Sequence, residues 1–170
     1  MVDAAVLDRF ERAVRDRSMG CHRATPATLL DTLSPLIERP AVATRLPAVG
    51  SSVTDLDVAI DPSPAELLAA HTGITPASLG VAEYGTIVLE STTAGVEAIS
   101  VFCSHHIAVL PSSSIRTDLG DAVEWLADSV GRDRGSAVLA TGPSATADMG
   151  ALVTGAHGPS RVDVIILGDE

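Results

Sequence analysis

The stretch Ile107-Ala108-Val109-Leu110, closed by Pro111, is apolar at every position and too short for a helix. Thr86-Ile-Val-Leu89, Ala137-Val-Leu-Ala140 and Val162–Leu167 have the same texture. A strand with one wet face alternates apolar and polar residues; a strand covered on both faces does not. Helical patterns lie around these runs. Ser63, after Asp61-Pro62, caps a helix to about His71, and residues 118–130, DLGDAVEWLADSV, put Val123, Leu126, Ala127 and Val130 on one face. The stretch SATADMGALVTG, beginning at Ser144, reads as a further helix. Non-alternating strands separated by helices predict an α/β fold: a single domain with a mostly parallel sheet flanked by helices.

Working outward, residues 3–18 space Val6, Phe10, Ala13 and Val14 as an amphipathic helix that Met19-Gly20 closes. Thr25 and Pro26 read as an N-cap and first-turn proline, opening a second helix to about Glu38. Leu56–Ile60 alternates and reads as a strand. The expected organisation is an N-terminal helical segment over 1–40 and an α/β domain over 41–170. A 170-residue chain can bury about 70% of its unfolded surface, so it needs no metal or disulfide to fold. No apolar run is long enough to span a bilayer, and the charged first 18 residues lack the apolar core of a secretory signal. A cytoplasmic protein is expected.

There are 11 basic residues against 22 acidic ones, a formal net charge of −11, and every basic residue is Arg. Scattered Arg builds no basic face, which argues against nucleic acid and anionic membranes as partners. An acidic, Lys-free surface suits a halophilic cell with concentrated internal salt; a GC-rich genome that encodes Arg in place of Lys is the alternative. The two cysteines, Cys21 and Cys103, are far apart and in no C-x-x-C pairing. They cannot by themselves hold an iron–sulfur cluster, and buried inert thiols are the simpler reading. Phe10, Phe102, Tyr84 and Trp125 are the only aromatics, so the core must be aliphatic.

Three glycine-containing turns stand at strand ends, where open α/β sheets place ligands. In Gly80-Val-Ala-Glu83-Tyr84-Gly85-Thr86, a ligand could rest on the Gly85 and Thr86 amides beside Glu83; from spacing alone an ordinary hairpin turn is preferred. In Thr141-Gly142-Pro143-Ser144-Ala145-Thr146-Ala147-Asp148, a helix start could bind an anion, with Asp148 orienting a hydroxyl or accepting a proton. Plain N-capping explains the same residues. In Gly155-Ala156-His157-Gly158-Pro159, a histidine between glycines is a candidate acid–base group, with a hydrogen-bonded structural histidine as the alternative. His105-His106 has no third ligand at metal spacing, one residue leading into a strand and the other facing water, so no metal site is expected.

The order AEYGTIVLES, HHIAVLPSSSI, TGPSATADM, TGAHGPSRVDVIIL resembles the lactate-utilisation protein C family, the LUD-domain proteins, clearly over about residues 70–170. That resemblance implies a fold similar to ribose-5-phosphate isomerase and the coenzyme A transferases. It also implies a role in oxidising L-lactate to pyruvate, with iron–sulfur clusters on partner subunits and none in this chain. By resemblance Glu83, Gly85 and Thr86 fall on the family's Glu-Thr-Gly-Thr segment. Gly142, Pro143, Ser144, Thr146 and Asp148 fall on its Gly-Pro-Ser segment, and His157, Gly158 and Pro159 on its His-Gly-Pro. Glu83, His157 and Asp148 are then candidate catalytic groups. Gly85, Thr86, Gly142, Pro143, Ser144, Thr146 and Gly158 are candidate contacts to a small carboxylate. The chain departs from the pattern at Tyr84, at Ala145, where a basic residue is common, and at Met149-Gly150. The expected function is a non-iron–sulfur subunit of a lactate-oxidising complex that binds substrate or supports assembly. A non-catalytic scaffold and a transferase- or isomerase-like enzyme are the alternatives, so whether the chain is itself an enzyme stays open. Self-association into a homo-oligomer is compatible with all three.

Overall fold

The computed structural model describes residues 2–46, 53–129, 135–148 and 151–168. In chain order the elements are α1 (Ala4–Asp16), β1 (Gly20–Ala24), α2 (Leu29–Leu33), β2 (Ala41–Ala43), β3 (Ala59–Ile60), α3 (Pro64–Ala69), β4 (Thr72–Pro76) and β5 (Leu79–Val81). Then follow β6 (Thr86–Glu90), α4 (Val96–Phe102), β7 (His105–Pro111), β8 (Ile115–Arg116), α5 (Leu119–Ser129), β9 (Ala137–Ala140), β10 (Ala145–Asp148), β11 (Ala151–Thr154) and β12 (Arg161–Leu167).

Six strands form a parallel sheet in the order β1-β12-β7-β4-β2-β3. The expected α/β architecture, with a mostly parallel sheet flanked by helices, is borne out. Ile107–Leu110 of β7 and Val164–Leu167 of β12 are apolar at every position because both faces of the sheet are covered there. On one face Ala108, Leu110, Val162, Val164 and Ile166 meet Phe10 and Val14 of α1 and Ile87 and Leu89 of β6. On the other, Ile107, Val109, Ile165 and Leu167 meet Leu29 and Leu33 of α2. Each large aliphatic side chain so buried stabilises the fold by about 1.5–3 kcal/mol. α3 starts as its residues predict: the Ser63 hydroxyl accepts from the Glu66 amide, and the Glu66 carboxylate accepts from the Ser63 amide at 2.8 Å.

Several expectations are corrected. The expected N-terminal helical segment contains β1, which pairs along its whole length with β12, so residues 20–24 belong to the central sheet. Thr25 caps no helix. Its amide donates to Thr28 Oγ1 at 3.0 Å, closing a turn ahead of α2. Only Ala59–Ile60 of the strand expected over 56–60 is extended, because residues 53–56 form a short 3-10 turn. On α5 Ala122 is the buried residue, with Trp125 and Leu126 packed beside it, and Val123 is exposed. Val130 lies outside the described residues.

The apolar runs at 86–89 and 137–140 join a second sheet, β8-β5-β6-β9, in which β6 runs antiparallel to both β5 and β9. The connection between β5 and β6 is too short for a parallel crossover. The stretch from Ser144 is a hairpin of β10 and β11, not a helix. Ser144 cannot start a helix, because its amide donates to the Pro159 carbonyl and its own carbonyl accepts from the Gly155 amide, each at 2.8 Å. β-Branched Thr146, Val153 and Thr154 also favour the extended form.

Candidate functional site

The first glycine turn is a hairpin connection between β5 and β6. The Gly85 amide donates to the Val81 carbonyl at 2.9 Å. Gly85 sits at φ +67°, and a Cβ there would come within 2.6 Å of the Val14 amide nitrogen in α1. The close approach that glycine allows is therefore to the protein's own helix. Glu83 and Tyr84 are exposed at the tip, and Glu83 borders none of the described cavities. Thr86 is buried, with its hydroxyl 2.7 Å from that of Thr141. That contact joins the first turn to the second.

The second and third turns meet through the two Ser144 backbone bonds to Pro159 and Gly155. Gly158 lies against the Ser144 side chain. Together they wall a cavity of about 130 Å³ whose lining includes Gly142, Ser144, His157, Gly158, Pro159, Ser100 and His106. Leu89, Val101, Val138, Ala140 and Val162 also line it, so among the described residues no Asp, Glu or Arg faces the space. On the far side of His157 and Gly158 a second cleft of about 370 Å³ opens toward Val101, Phe102, Cys103 and Ser104. His157 is exposed between the two. Pro143 is half-buried, and Thr146 pairs with Val153 inside the hairpin, away from both spaces. The backbone of Asp148 ends β10; its side chain lies outside the described residues. No helix begins at Ser144, so the expected helix-start anion site does not form.

These turns sit at the amino ends of β7 and β12, opposite to the carboxyl ends where parallel sheets usually hold ligands. A cleft of about 670 Å³ does lie at the carboxyl ends of β1 and β12, bordered by Leu7, Arg23, Thr25, Thr28, Ser112 and Ile166. The Arg23 charge there is already answered by ion pairs to Glu11 and, at 3.2 Å, to Asp8. None of the residues singled out by motif borders it. The Thr25-Pro26-Ala27-Thr28 turn carries no sequence signal of a cavity.

The paired histidines are the residues that sequence reasoning placed wrongly. Neither faces water: His105 and His106 are both buried, on opposite faces of β7. Burial, with His105 beside it, pushes the His106 imidazole down to about 3, so it is neutral at pH 7. Its Nε2 and Thr75 Oγ1 are joined by a hydrogen bond of 2.8 Å. His105 Nε2 lies 2.8 Å from Asp163 Oδ2, which also accepts from Arg161 Nε at 2.9 Å. The other carboxylate oxygen is 2.7 Å from His22 Nε2. Burial by itself would raise the Asp163 carboxyl; hydrogen bonds from His105 and His22 and the Arg161 charge hold it well below the usual range. Gly20 makes room for this carboxylate, since a Cβ there would stand 1.8 Å from Asp163 Oδ1. Among the described residues no group of three or more His, Cys, Asp or Glu side chains is placed to hold a metal ion.

The model of the LUD domain family matches residues 63–167. The chain belongs to the LUD domain family. The resemblance read from the TGPS-x-TAD and G-x-HGP segments is thereby borne out. Lactate utilization protein C of Deinococcus radiodurans is 31% identical over 97% of this LUD chain and 81% of its own length. The proteins of the same name from Shouchella clausii and Bacillus subtilis are 30% and 33% identical, each over 59% of this chain. The matched part is 45% and 43% of those two proteins, so this LUD chain spans under half of each. A crystal structure of a DUF162 family protein from Deinococcus radiodurans superposes with a TM-score of 0.75 at 25% identity, over 99% of both chains. The LUD fold here is thus matched along the whole chain, including α1 and β1.

Proposed function

We propose that this LUD chain serves lactate utilisation as a component without a redox centre of its own, acting through the cleft between Ser144 and His157. The observation that carries the reading is the alignment with a Lactate utilization protein C over 97% of the chain. Oxidising lactate to pyruvate releases two electrons, which need a redox centre. Cys21 and Cys103 offer two thiols in different elements, and burial pushes each up to about 11, away from the thiolate that a cluster or metal requires. Partner subunits carrying iron–sulfur clusters would then take the electrons, in the cytoplasm.

Of the two expected roles, support of assembly fits the cleft better than capture of a carboxylate. Among the described residues the 130 Å³ space offers hydroxyls and imidazoles but no cation, and a buried carboxylate without a paired charge is costly. Glu83, on its exposed tip, gives a transferase or isomerase reading nothing to work with. The test is to purify the partner proteins with and without this chain and follow lactate-dependent dye reduction. Activity should require the chain, and His157→Ala should leave that activity within about twofold if the role is assembly. A drop of about a hundredfold in His157→Ala would instead assign the cleft to substrate chemistry. Equal activity with and without the chain would remove the proposal.

A further inference from the structure

Two of the polar side chains that line the Ser144–His157 cavity are themselves buried, Ser100 at 4% exposure and His106 at 1%. The Ser100 hydroxyl donates to the Glu97 carbonyl at 2.7 Å, so its oxygen has only lone pairs left to offer. His106 Nε2 is engaged by Thr75, and its Nδ1 has no hydrogen-bond partner among the described residues. The Ser144 hydroxyl has none there either, because only the backbone of Ser144 is tied to Pro159 and Gly155. A buried nitrogen left unpaired is costly, and such groups nearly always meet a partner.

The rest of the wall restricts that partner. Leu89, Val138, Ala140 and Val162 are apolar, and no Asp, Glu or Arg among the described residues lines the space. Burial keeps the His106 imidazole neutral, so its Nδ1 offers a donor or an acceptor and never a charge. An ion entering here would leave water without meeting a counter-charge. The volume of about 130 Å³ admits only a few heavy atoms. Val101, His157 and Gly158 also border the 370 Å³ cleft, which opens a route from solvent. We infer that the cavity binds a small uncharged amide or alcohol, a molecule that both donates and accepts hydrogen bonds, through Ser100, His106 and Ser144. Its donor faces the Ser100 oxygen, and the Ser144 hydroxyl serves whichever group remains. The inference rests on the reading that the chain acts through this cleft, and it names what enters.

Lactamide and lactate are nearly the same size and differ in an amide against a carboxylate, which makes them the probes. Each is titrated into the isotope-labelled full chain at about pH 8, above the ordinary imidazole range, and followed by amide chemical shifts. Lactamide should shift the Gly142, Ser144, His157 and Gly158 amides saturably, and lactate should bind about tenfold more weakly or worse. Ser144→Ala keeps the backbone bonds and should weaken lactamide about twofold to tenfold. Val101→Trp, from a position 39% exposed on α4, should fill the space and abolish the shifts. Leu139→Trp, on β9 and 45% exposed outside the cavity lining, should leave them unchanged. The inference is overturned by the absence of a saturable lactamide shift, by lactate binding as tightly, or by binding that survives both Ser144→Ala and Val101→Trp. Such a failure in a chain that dye reduction still requires removes this inference alone. Lactamide binding by a chain that dye reduction does not require upholds it and removes only the role in lactate utilisation.

Discussion

The amino end of β12 has two polar faces, and they are built to opposite rules. On one, Asp163 gathers His22, His105 and Arg161 around a carboxylate that is 2% exposed, each oxygen hydrogen-bonded. On the other, beside Val162, the Ser144–His157 cleft has no Asp, Glu or Arg among the described residues that line it, and His157 is exposed. The first face spends its polar groups on joining β1, β12 and β7. The second leaves them available to a ligand or partner. A strongly shifted carboxylate is therefore a poor guide to function here, because the bonds that shift it are the ones that join three strands.

The sharpest way to break this comparison is Asp163→Ala. It removes the shared acceptor and leaves two buried-side imidazoles and a guanidinium facing one another. Urea unfolding should show a loss of about 3–5 kcal/mol, whereas His157→Ala should cost under about 0.5 kcal/mol. Equal losses would mean that the Asp163 face is no more structural than the cleft. Because the Asp163 carboxyl titrates lower in the folded chain, its contribution is complete above the unfolded range near pH ~4 and is lost on further acidification.

Gly85→Ala comes next. Positive φ alone costs a non-glycine residue about 1–3 kcal/mol, and the new Cβ would also press on the α1 backbone. Thermal unfolding should show the loss while lactate-dependent activity per folded molecule stays unchanged. A selective loss of activity would return this turn to the ligand site.

His106 sharpens the comparison through pH. Its folded pKa of about 3 lies below that of the free side chain near ~6.5, so between these values the unfolded chain binds the extra proton. Its share of stability is full above that upper value and falls by about 1.4 kcal/mol per pH unit on acidification toward the lower one. His106→Gln should flatten the slope of unfolding free energy measured between neutral and mildly acidic pH; an unchanged slope would mean that the imidazole is not held neutral. The smallest effect is expected at Glu83→Ala, within about 0.5 kcal/mol in stability and silent in activity. Loss of activity there would revive a catalytic Glu83.

Much of the fold was legible. IAVL and VDVIIL reveal two-sided burial because neither face can be polar, and α3 declares itself through Ser63 and Glu66. The hairpin at 145–154 was not legible. Alanines and a serine suit a helix start locally, and only the bonds of Ser144 to Pro159 and Gly155, distant in sequence, exclude it. The site was half legible: TGPS and HGP do converge, but Glu83 stays apart, and His106 was passed over because a buried histidine carries no local signature.

The sequence by itself determined a domain of aliphatic core, two widely separated cysteines outside any C-x-x-C pairing, and membership of the LUD family, since these follow from residue type and order. Tertiary structure alone decided which glycines serve packing, which end of the sheet the turns occupy, and that one carboxylate binds three strands together. Those outcomes depend on which distant backbone or side chain fills the neighbouring space, and no local pattern encodes that.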